Sequence, residues 1–436
     1  MKYSQFNSLL PYDDKFILHN TFTNHAIVLD PLLKDLIEAA RHEGLDGLAE
    51  VHPALYDALC KQDFILDPSI DEVEKVKKVR DAVDFAEDAY HLTINPTMNC
   101  NFKCWYCYET HIKASRMNEE ISNRVNRFLS TQILKNEKLE HFVLSWFGGE
   151  PLLYYDDIVL PIIQHFNKVT AERKIDTAIN FTSNGFLITD DMIKSFKDNK
   201  VNSLQITLDG YGPEHDKVRF VSKTRGSYEK IIENVLKLVR EQIYVRLRIN
   251  FTAINIVSAH NIIDDIKVLT DQERQYLGVD FHRVWQDTDD GSNDWIFEKQ
   301  MDTFRRSGFL VASNMAMNNV RESCYADKKN SAVINYNGDV FKCTARDFTT
   351  SRRDGYIDEN GELVWENGSL DKRMNAKFKN RPCLTCRLLP VCNGGCSQHA
   401  VENVESGGEY CVHQYDEKKK DQVVYDKIKG LIAATA

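Results

Sequence analysis

The sequence predicts an α/β fold built on a partial (β/α)6 TIM-like barrel. Strand-like and helix-like patterns alternate from His91 to about Met317. The strand candidates are six: 91–95, 141–146, 177–183, 203–208, 244–251 and 279–284. Alternation of this length implies parallel strands joined by crossover helices, and six units are fewer than the eight that close a barrel. The helical stripes between strands are explicit. Ile121, Val125, Phe128, Leu129 and Ile133 share one face, and Ile231, Ile232, Val235, Leu236 and Val239 share another after a Ser227 cap.

The segments flanking the barrel read differently. Phe16–His19 and His25–Leu29 suit short strands, with residues 20–24 as the turn between them. Asp30-Pro31 predicts a helix start, with Asp as N-cap and Pro at the first helical position. Leu32, Leu33, Leu36, Ile37 and Ala40 then recur at helical spacing. A second helix is expected near Pro53–Lys61, followed by a strand at Phe64-Ile65-Leu66. Two strands, two helices and a strand suggest a winged-helix-like α+β unit. The charged stretch Asp71–Glu87 predicts a solvated linker helix. Residues 318–415 carry fewer apolar stripes and hold seven of the eleven cysteines. The predicted domains are therefore 1–85, 86–317, 318–415 and a closing helix over 416–436.

A net charge of −10 argues against nucleic acid as a main partner, because phosphate binding needs a basic face. No apolar run approaches the roughly 20 residues of a membrane span. The N-terminus, MKYSQFNSLLPYDDK, has no apolar core and no cleavage pattern, so a cytoplasmic location is expected. In a reducing compartment, eleven cysteines read as metal ligands rather than disulfides.

Cys100, Cys104 and Cys107 follow the first strand in the spacing C-x3-C-x2-C. Three thiolates this close can hold three irons of a four-iron cube and leave one iron free to bind a ligand. Zinc fits poorly, since structural zinc sites want four ligands in paired knuckles. Trp146-Phe147-Gly148-Gly149-Glu150-Pro151 ends the second strand, either as a plain turn or as a backbone edge and carboxylate facing a cation. Residues 180–185 and 205–210 end the third and fourth strands. A longer array follows: Cys324, Cys343, Cys383, Cys386, Cys392, Cys396 and Cys411. Zinc knuckles are the alternative there. Cys60 lies in a predicted helix and reads first as a small buried apolar residue.

With Tyr106 in its aromatic slot, the triad resembles the signature of radical S-adenosylmethionine (SAM) enzymes, and the C-terminal array resembles the SPASM extension. Together the resemblances span about residues 90 to 415. They imply three [4Fe-4S] clusters, one SAM-binding and two auxiliary. In the family the open iron binds the amine and carboxylate of SAM, and reduction yields a 5′-deoxyadenosyl radical. Gly148, Gly149 and Glu150 match the GGEP motif that faces the methionine ammonium. The resemblance places Thr207 and Arg219 on SAM, the guanidinium suiting the methionine carboxylate, and Tyr106 near the adenine. It groups Cys383, Cys386, Cys392 and Cys411 around one auxiliary cluster, and Cys324, Cys343 and Cys396 around the other. Many relatives carry an eighth cysteine a few residues before Cys324. Residues 317–323 have none, so an open iron on that second cluster is expected, or else a ligand from elsewhere.

SPASM-bearing relatives act mostly on peptides or proteins. A winged-helix-like N-terminal domain suits the branch that matures ribosomally made peptides, in which a leader-bearing precursor peptide receives a thioether or carbon–carbon crosslink. Remote gripping of the peptide raises its local concentration at the radical. A flavodoxin- or ferredoxin-type donor would supply electrons, and neither nucleic acid nor membrane is an expected partner. The alternative within the family is oxidation of Cys or Ser to formylglycine, as in anaerobic sulfatase maturases. In that branch an Asp base follows the cysteine matching Cys343, whereas here Thr344 follows and Asp347 is the nearest later carboxylate. The sequence names no catalytic base. A non-catalytic iron–sulfur or zinc peptide-binding scaffold is the alternative of another class, and the GGEP element and Arg219 argue against it.

Overall fold

The stripe at Ile121, Val125, Phe128, Leu129 and Ile133 folds as the helix Glu119–Lys135, with all five side chains buried. Its start is set by Asn118, whose side chain accepts a hydrogen bond from the Ile121 N–H at 2.9 Å. Glu119 and Glu120 complement the helix dipole at that end, and Lys135 does so at the other. The computed structural model describes residues 1–222, 224–287, 294–313 and 319–435. The expected domain boundary at 317/318 and the terminal residue 436 lie outside that set.

Two compact units result. The larger comprises Glu87–Ala316 and Asn330–Leu370. Its sheet carries the predicted strands in chain order, as Ala89–Ile94, His141–Trp146, Asp176–Ser183, Val201–Leu208, Tyr244–Phe251 and Leu277–Arg283. Each is parallel to the next. Apolar side chains from the strands and from the covering helices form one continuous core. The first and last strands of the series do not pair with each other, so the barrel stays open. The fold is thus α/β with a mostly parallel sheet.

Two features go beyond the six-unit expectation. A seventh parallel strand, Leu310–Ser313, extends the sheet beside Leu277–Arg283. It is a short edge strand, too brief to show a period of its own. On the other side Ser331–Ile334 pairs parallel to Ala89–Ile94 and starts an antiparallel series through Asp339–Phe341, Gly355–Ile357 and Leu363–Trp365. The Ser227 cap is corrected as well. Ser227 precedes the helix Tyr228–Arg240 without capping it. The carboxylate of Asp216 takes that place, accepting from the Ser227 and Tyr228 N–H groups at 2.7 and 3.0 Å.

The smaller unit comprises Met1–Ala86, Met317–Lys329 and Asp371–Ala436. Its N-terminal part holds the predicted strands, as Lys15–Asn20 and Ala26–Leu29, and the helices Pro31–Glu43 and Pro53–Lys61. It also holds a strand absent from the expectation, Asn7–Tyr12, at the edge of a three-stranded antiparallel sheet. Pro11 hides that strand in the sequence and is tolerated because the strand is an edge. Ile65–Leu66 pairs with Lys2–Tyr3. Asp30 precedes its helix with no side-chain cap bond. The helix Glu72–Asp84 is not a solvated linker: Val76 is fully buried against Phe6, Val320 and Leu389. The chain closes with the helix Glu417–Thr435. Among the described residues, no helix is long and apolar enough to cross a membrane.

Phe128 is a buried anchor of the barrel's first helix, in edge contact with Tyr90. Phe128→Ala should cost about 3–5 kcal/mol of unfolding free energy. Urea denaturation followed by tryptophan fluorescence measures this, and a loss under about 1 kcal/mol would show that the helix face is not core.

Candidate active site

The cysteine triad sits on the loop that leaves the first strand, and the Gly148-Gly149 turn leaves the neighbouring second strand. The two are locked together. Glu150 N–H donates to the Asn99 carbonyl at 2.8 Å, one residue before Cys100. Gly149 has φ +47°, and a Cβ there would lie 2.2 Å from that same carbonyl oxygen. Gly148, at φ +77°, packs on Asn95, where a Cβ would lie 2.6 Å from the side-chain carbon. Both glycines are therefore required by close approach as well as by backbone conformation. On the far side of the loop, the Glu109 carboxylate accepts from the Gly149 N–H at 2.8 Å. Burial pushes the Glu109 carboxyl up to about 7, against the lowering effect of that bond.

Glu150 is 1 % exposed. Its carboxylate accepts from the Leu152 N–H at 3.1 Å, the Ser183 hydroxyl at 2.9 Å and the Asn184 N–H at 2.8 Å. Burial nevertheless raises its carboxyl to about 6. The Asn184 amide donates to Asn101 at 2.8 Å and approaches the Cys100 sulfur at 3.9 Å. One carboxylate thus ties the ends of the second and third strands, and through Asn184 it reaches the triad.

The three thiols share one electrostatic environment. Burial pushes Cys100 up to about 12 and Cys107 up to about 11, and a negative charge on Cys104 would push both further. Cys104 is raised by the same cause. Such thiols ionise only beside a cation, which is the chemistry of ligands to iron. Cys107 also lies 3.5 Å from His111 Nε2.

Arg219 and Asp209 form a buried ion pair at the end of the fourth strand. The Tyr106 hydroxyl is its hub: it donates to Asp209, and it accepts from Arg219 Nη2 and from the Asn250 amide, each at 2.9 Å. The Arg219 Nε donates to the other Asp209 oxygen. Thr207 is buried two residues before Asp209. Tyr106, Arg219 and the triad therefore gather at the C-terminal ends of the strands, where α/β folds bind ligands. After Cys343, the Thr344 carbonyl accepts from the Tyr108 hydroxyl at 2.9 Å. Asp347 accepts from the Thr110 N–H and hydroxyl at 2.9 and 3.1 Å. Asp209, Asn250, Asn184 and Glu109 were not singled out from the sequence. Asp209 and Asn184 belong to the quoted strand-end motifs, whereas Asn250 and Glu109 carry no motif signal.

In the smaller unit, Cys383, Cys386, Cys392 and Cys411 line one small cavity together with Leu388 and Tyr410. The Asn380 amide donates to the Cys383 sulfur at 3.0 Å and to the Tyr410 carbonyl at 2.7 Å. Burial pushes Cys392 up to about 12. Four thiols around one cavity fit a fully ligated four-iron cluster. Cys324 and Cys396 are exposed residues of this unit, and Cys343 is a partly exposed residue of the larger one.

Residues 94–269 match the sequence model of the Radical SAM superfamily. Residues 94–269 are thus a radical SAM domain. It is similar to the cysteine-type anaerobic sulfatase-maturating enzyme of Clostridium novyi (strain NT), at 25 % identity over 339 residues, covering 71 % of this chain and 88 % of that one. It is also 27 % identical over 181 residues to the GTP 3′,8-cyclase of Campylobacter jejuni (strain RM1221), covering 42 % of this chain and about half (51 %) of that relative. Among solved structures, anSMEcpe with bound AdoMet and the Cp18Cys peptide superposes with a TM-score of 0.60 at 17 % identity, covering 79 % of this chain and 98 % of that one. Streptococcus suis SuiB bound to precursor peptide SuiA gives 0.51 at 18 %, covering 93 % and 96 %. These likenesses show the fold. The superfamily implies SAM and one [4Fe-4S] cluster, and the half-buried triad fits as that cluster's ligands.

Gly149→Ala should dislodge the cysteine loop. Iron and sulfide analysis after anaerobic reconstitution should then find the variant short by one cluster. Full wild-type iron content would show that the glycine turn does not support the triad.

Proposed function

We propose that the chain is a radical SAM peptide maturase that removes a hydrogen from a ribosomally made precursor peptide and installs a thioether or carbon–carbon crosslink. The observation that carries the reading is the assembly of the triad, the Gly148-Gly149-Glu150 turn and Arg219 at the strand ends. Peptide substrates are favoured because SuiB and anSMEcpe, the fold neighbours, were both solved with peptides. The wider match to SuiB, 93 % of this chain against 79 %, favours the precursor-peptide branch. In this reading residues 1–85 grip the leader, a cytoplasmic flavodoxin- or ferredoxin-type protein supplies electrons, and two auxiliary clusters serve in the cysteine-rich region. Cys383, Cys386, Cys392 and Cys411 would hold one of these, and Cys324, Cys343 and Cys396 the other.

Cys100, Cys104 and Cys107 would hold the SAM-binding cluster, which together with SAM supplies a primary carbon radical able to abstract hydrogen. This chain's residues bind and orient. Arg219 uses Nε and Nη2 on Asp209 and Tyr106. A guanidinium has five donors, so donors remain for the methionine carboxylate. Glu150 supplies negative charge beside the triad for the methionine ammonium. Gly148 and Gly149 let the backbone approach SAM closely. Thr207 would add a hydroxyl to the SAM site, and the Tyr106 ring would sit near the adenine. The protein's part in the chemistry is positioning.

Formylglycine formation is the second reading, favoured by the similarity to the sulfatase-maturating enzyme. Against it stands Thr344, which occupies the position of that branch's base, while Asp347 is engaged by Thr110.

Mass spectrometry of a candidate peptide after reaction distinguishes them. A crosslink leaves the peptide lighter by two hydrogens, one gone as an atom and one as a proton with an electron. Formylglycine from cysteine exchanges sulfur and two hydrogens for one oxygen. The proposal expects the first product on a precursor peptide. The second product on a sulfatase-derived peptide would overturn it.

A further inference from the structure

Arg219 is the first residue after the short helix Gly212–Val218, and the strand that follows it, Phe220–Ser222, is exposed along its whole length. The Arg219 N–H donates to the His215 carbonyl at 2.8 Å as the last bond of that helix, which leaves the Arg219 carbonyl to be met from elsewhere. His215 is fully buried one turn earlier. Its Nδ1 lies 3.1 Å from the Asp209 backbone nitrogen, and its Nε2 lies 3.0 Å from the Ser227 hydroxyl. That hydroxyl lies 2.9 Å from the Arg219 carbonyl oxygen.

The direction of every bond follows from the two ends. A backbone N–H only donates, so Nδ1 accepts and carries no proton. A carbonyl only accepts, so the Ser227 O–H donates to Arg219. Ser227 Oγ is then free to accept, and Nε2–H donates to it. A second proton on His215 would point N–H against N–H at Asp209. Burial, with Arg219 beside it, agrees by holding the imidazole well below its ordinary pKa. Ser227 is itself placed by Asp216, and a Cβ on the preceding Gly226 would lie 1.9 Å from that carboxylate.

We propose that His215, held as the Nε2–H tautomer, is a positioning residue that sets Arg219 for SAM by linking the Asp209 backbone to the Arg219 backbone through Ser227. The proposal rests on the reading that Arg219 contacts SAM. The linkage closes a ring. Asp209 and Arg219 are joined once through their side chains and once through the histidine–serine chain, so the guanidinium is fixed at both its head and its root.

The test uses the full-length, anaerobically reconstituted protein and measures the Kd for SAM by equilibrium dialysis, with thermal unfolding in parallel. His215→Phe and Ser227→Ala should each weaken SAM binding about tenfold, the scale of one lost buried hydrogen bond. The double variant should be no weaker than His215→Phe, because both break one chain. Phe128→Ala, which destabilises the same unit through its outer helix, should leave the Kd unchanged. This separates positioning from general stability. Wild-type affinity in both single variants, or effects that multiply in the double variant, would overturn the proposal while a weakened Arg219→Ala upholds the SAM assignment. If Arg219→Ala binds SAM normally, the underlying assignment is wrong and the inference falls with it. Should His215→Phe fail to fold, Ser227→Ala decides alone.

Discussion

The carbonyl of Asn99 is the point on which the site depends. It accepts the Glu150 N–H and leaves no room for a side chain at Gly149. From the other end of the same loop, Glu109 takes the Gly149 N–H. The cysteine loop therefore wraps the glycine turn from both sides, and its own first strand and the second strand are adjacent parallel neighbours. Register in the sheet, set by the buried face that alternates along the strands, as Phe142, Leu144 and Trp146 do in the second, is in this way passed to three thiols. A loop of small and polar residues has no core of its own to keep three sulfurs convergent. The strand ends supply that rigidity, as sites on scaffold elements do in general.

Charge is managed in the same manner. A guanidinium and a carboxylate almost completely out of water gain little net stability, because desolvation offsets their attraction. Their value lies in specificity of position. Asp209 satisfies Arg219 and Tyr106, and Asn250 reaches the same phenol from the fifth strand. Three successive strand ends, the second through the fourth, thus deliver Glu150, Asn184 and Asp209, each held by hydrogen bonds. Removing one partner of such a network leaves buried polar groups unmet, which costs more than the bond itself was contributing.

The barrel was legible because its helices are amphipathic and its strands are apolar, as the stripe from Ile121 to Ile133 illustrates. The edges were less so. Leu310–Ser313 is too short to show alternation, and Asn7–Tyr12 is interrupted by Pro11. The helix over 72–84 looked solvated because its charged residues outnumber the valines that dock it, Val73, Val76 and Val79. At the site, the residues quoted from the sequence do lie together where a motif fixed them: the cysteines, the two glycines, Glu150 and Arg219. Their supports stayed hidden for a physical reason. Asn250 arrives across the sheet and Glu109 folds back around a turn, and neither contact leaves a spacing in the chain. Ser227 was visible only as a supposed cap and His215 had no role assigned, because the bond between them depends on where the chain returns after the strand Phe220–Ser222.

The central claim is that the triad, held by the glycine turn, supports reductive cleavage of SAM. Liquid chromatography of 5′-deoxyadenosine, formed when the anaerobically reconstituted protein is reduced with dithionite in the presence of SAM, tests it most directly. The account predicts product from the wild-type chain and none from Cys100→Ala. Product from that variant at the wild-type rate, or none from wild-type protein with its full complement of iron, would contradict it.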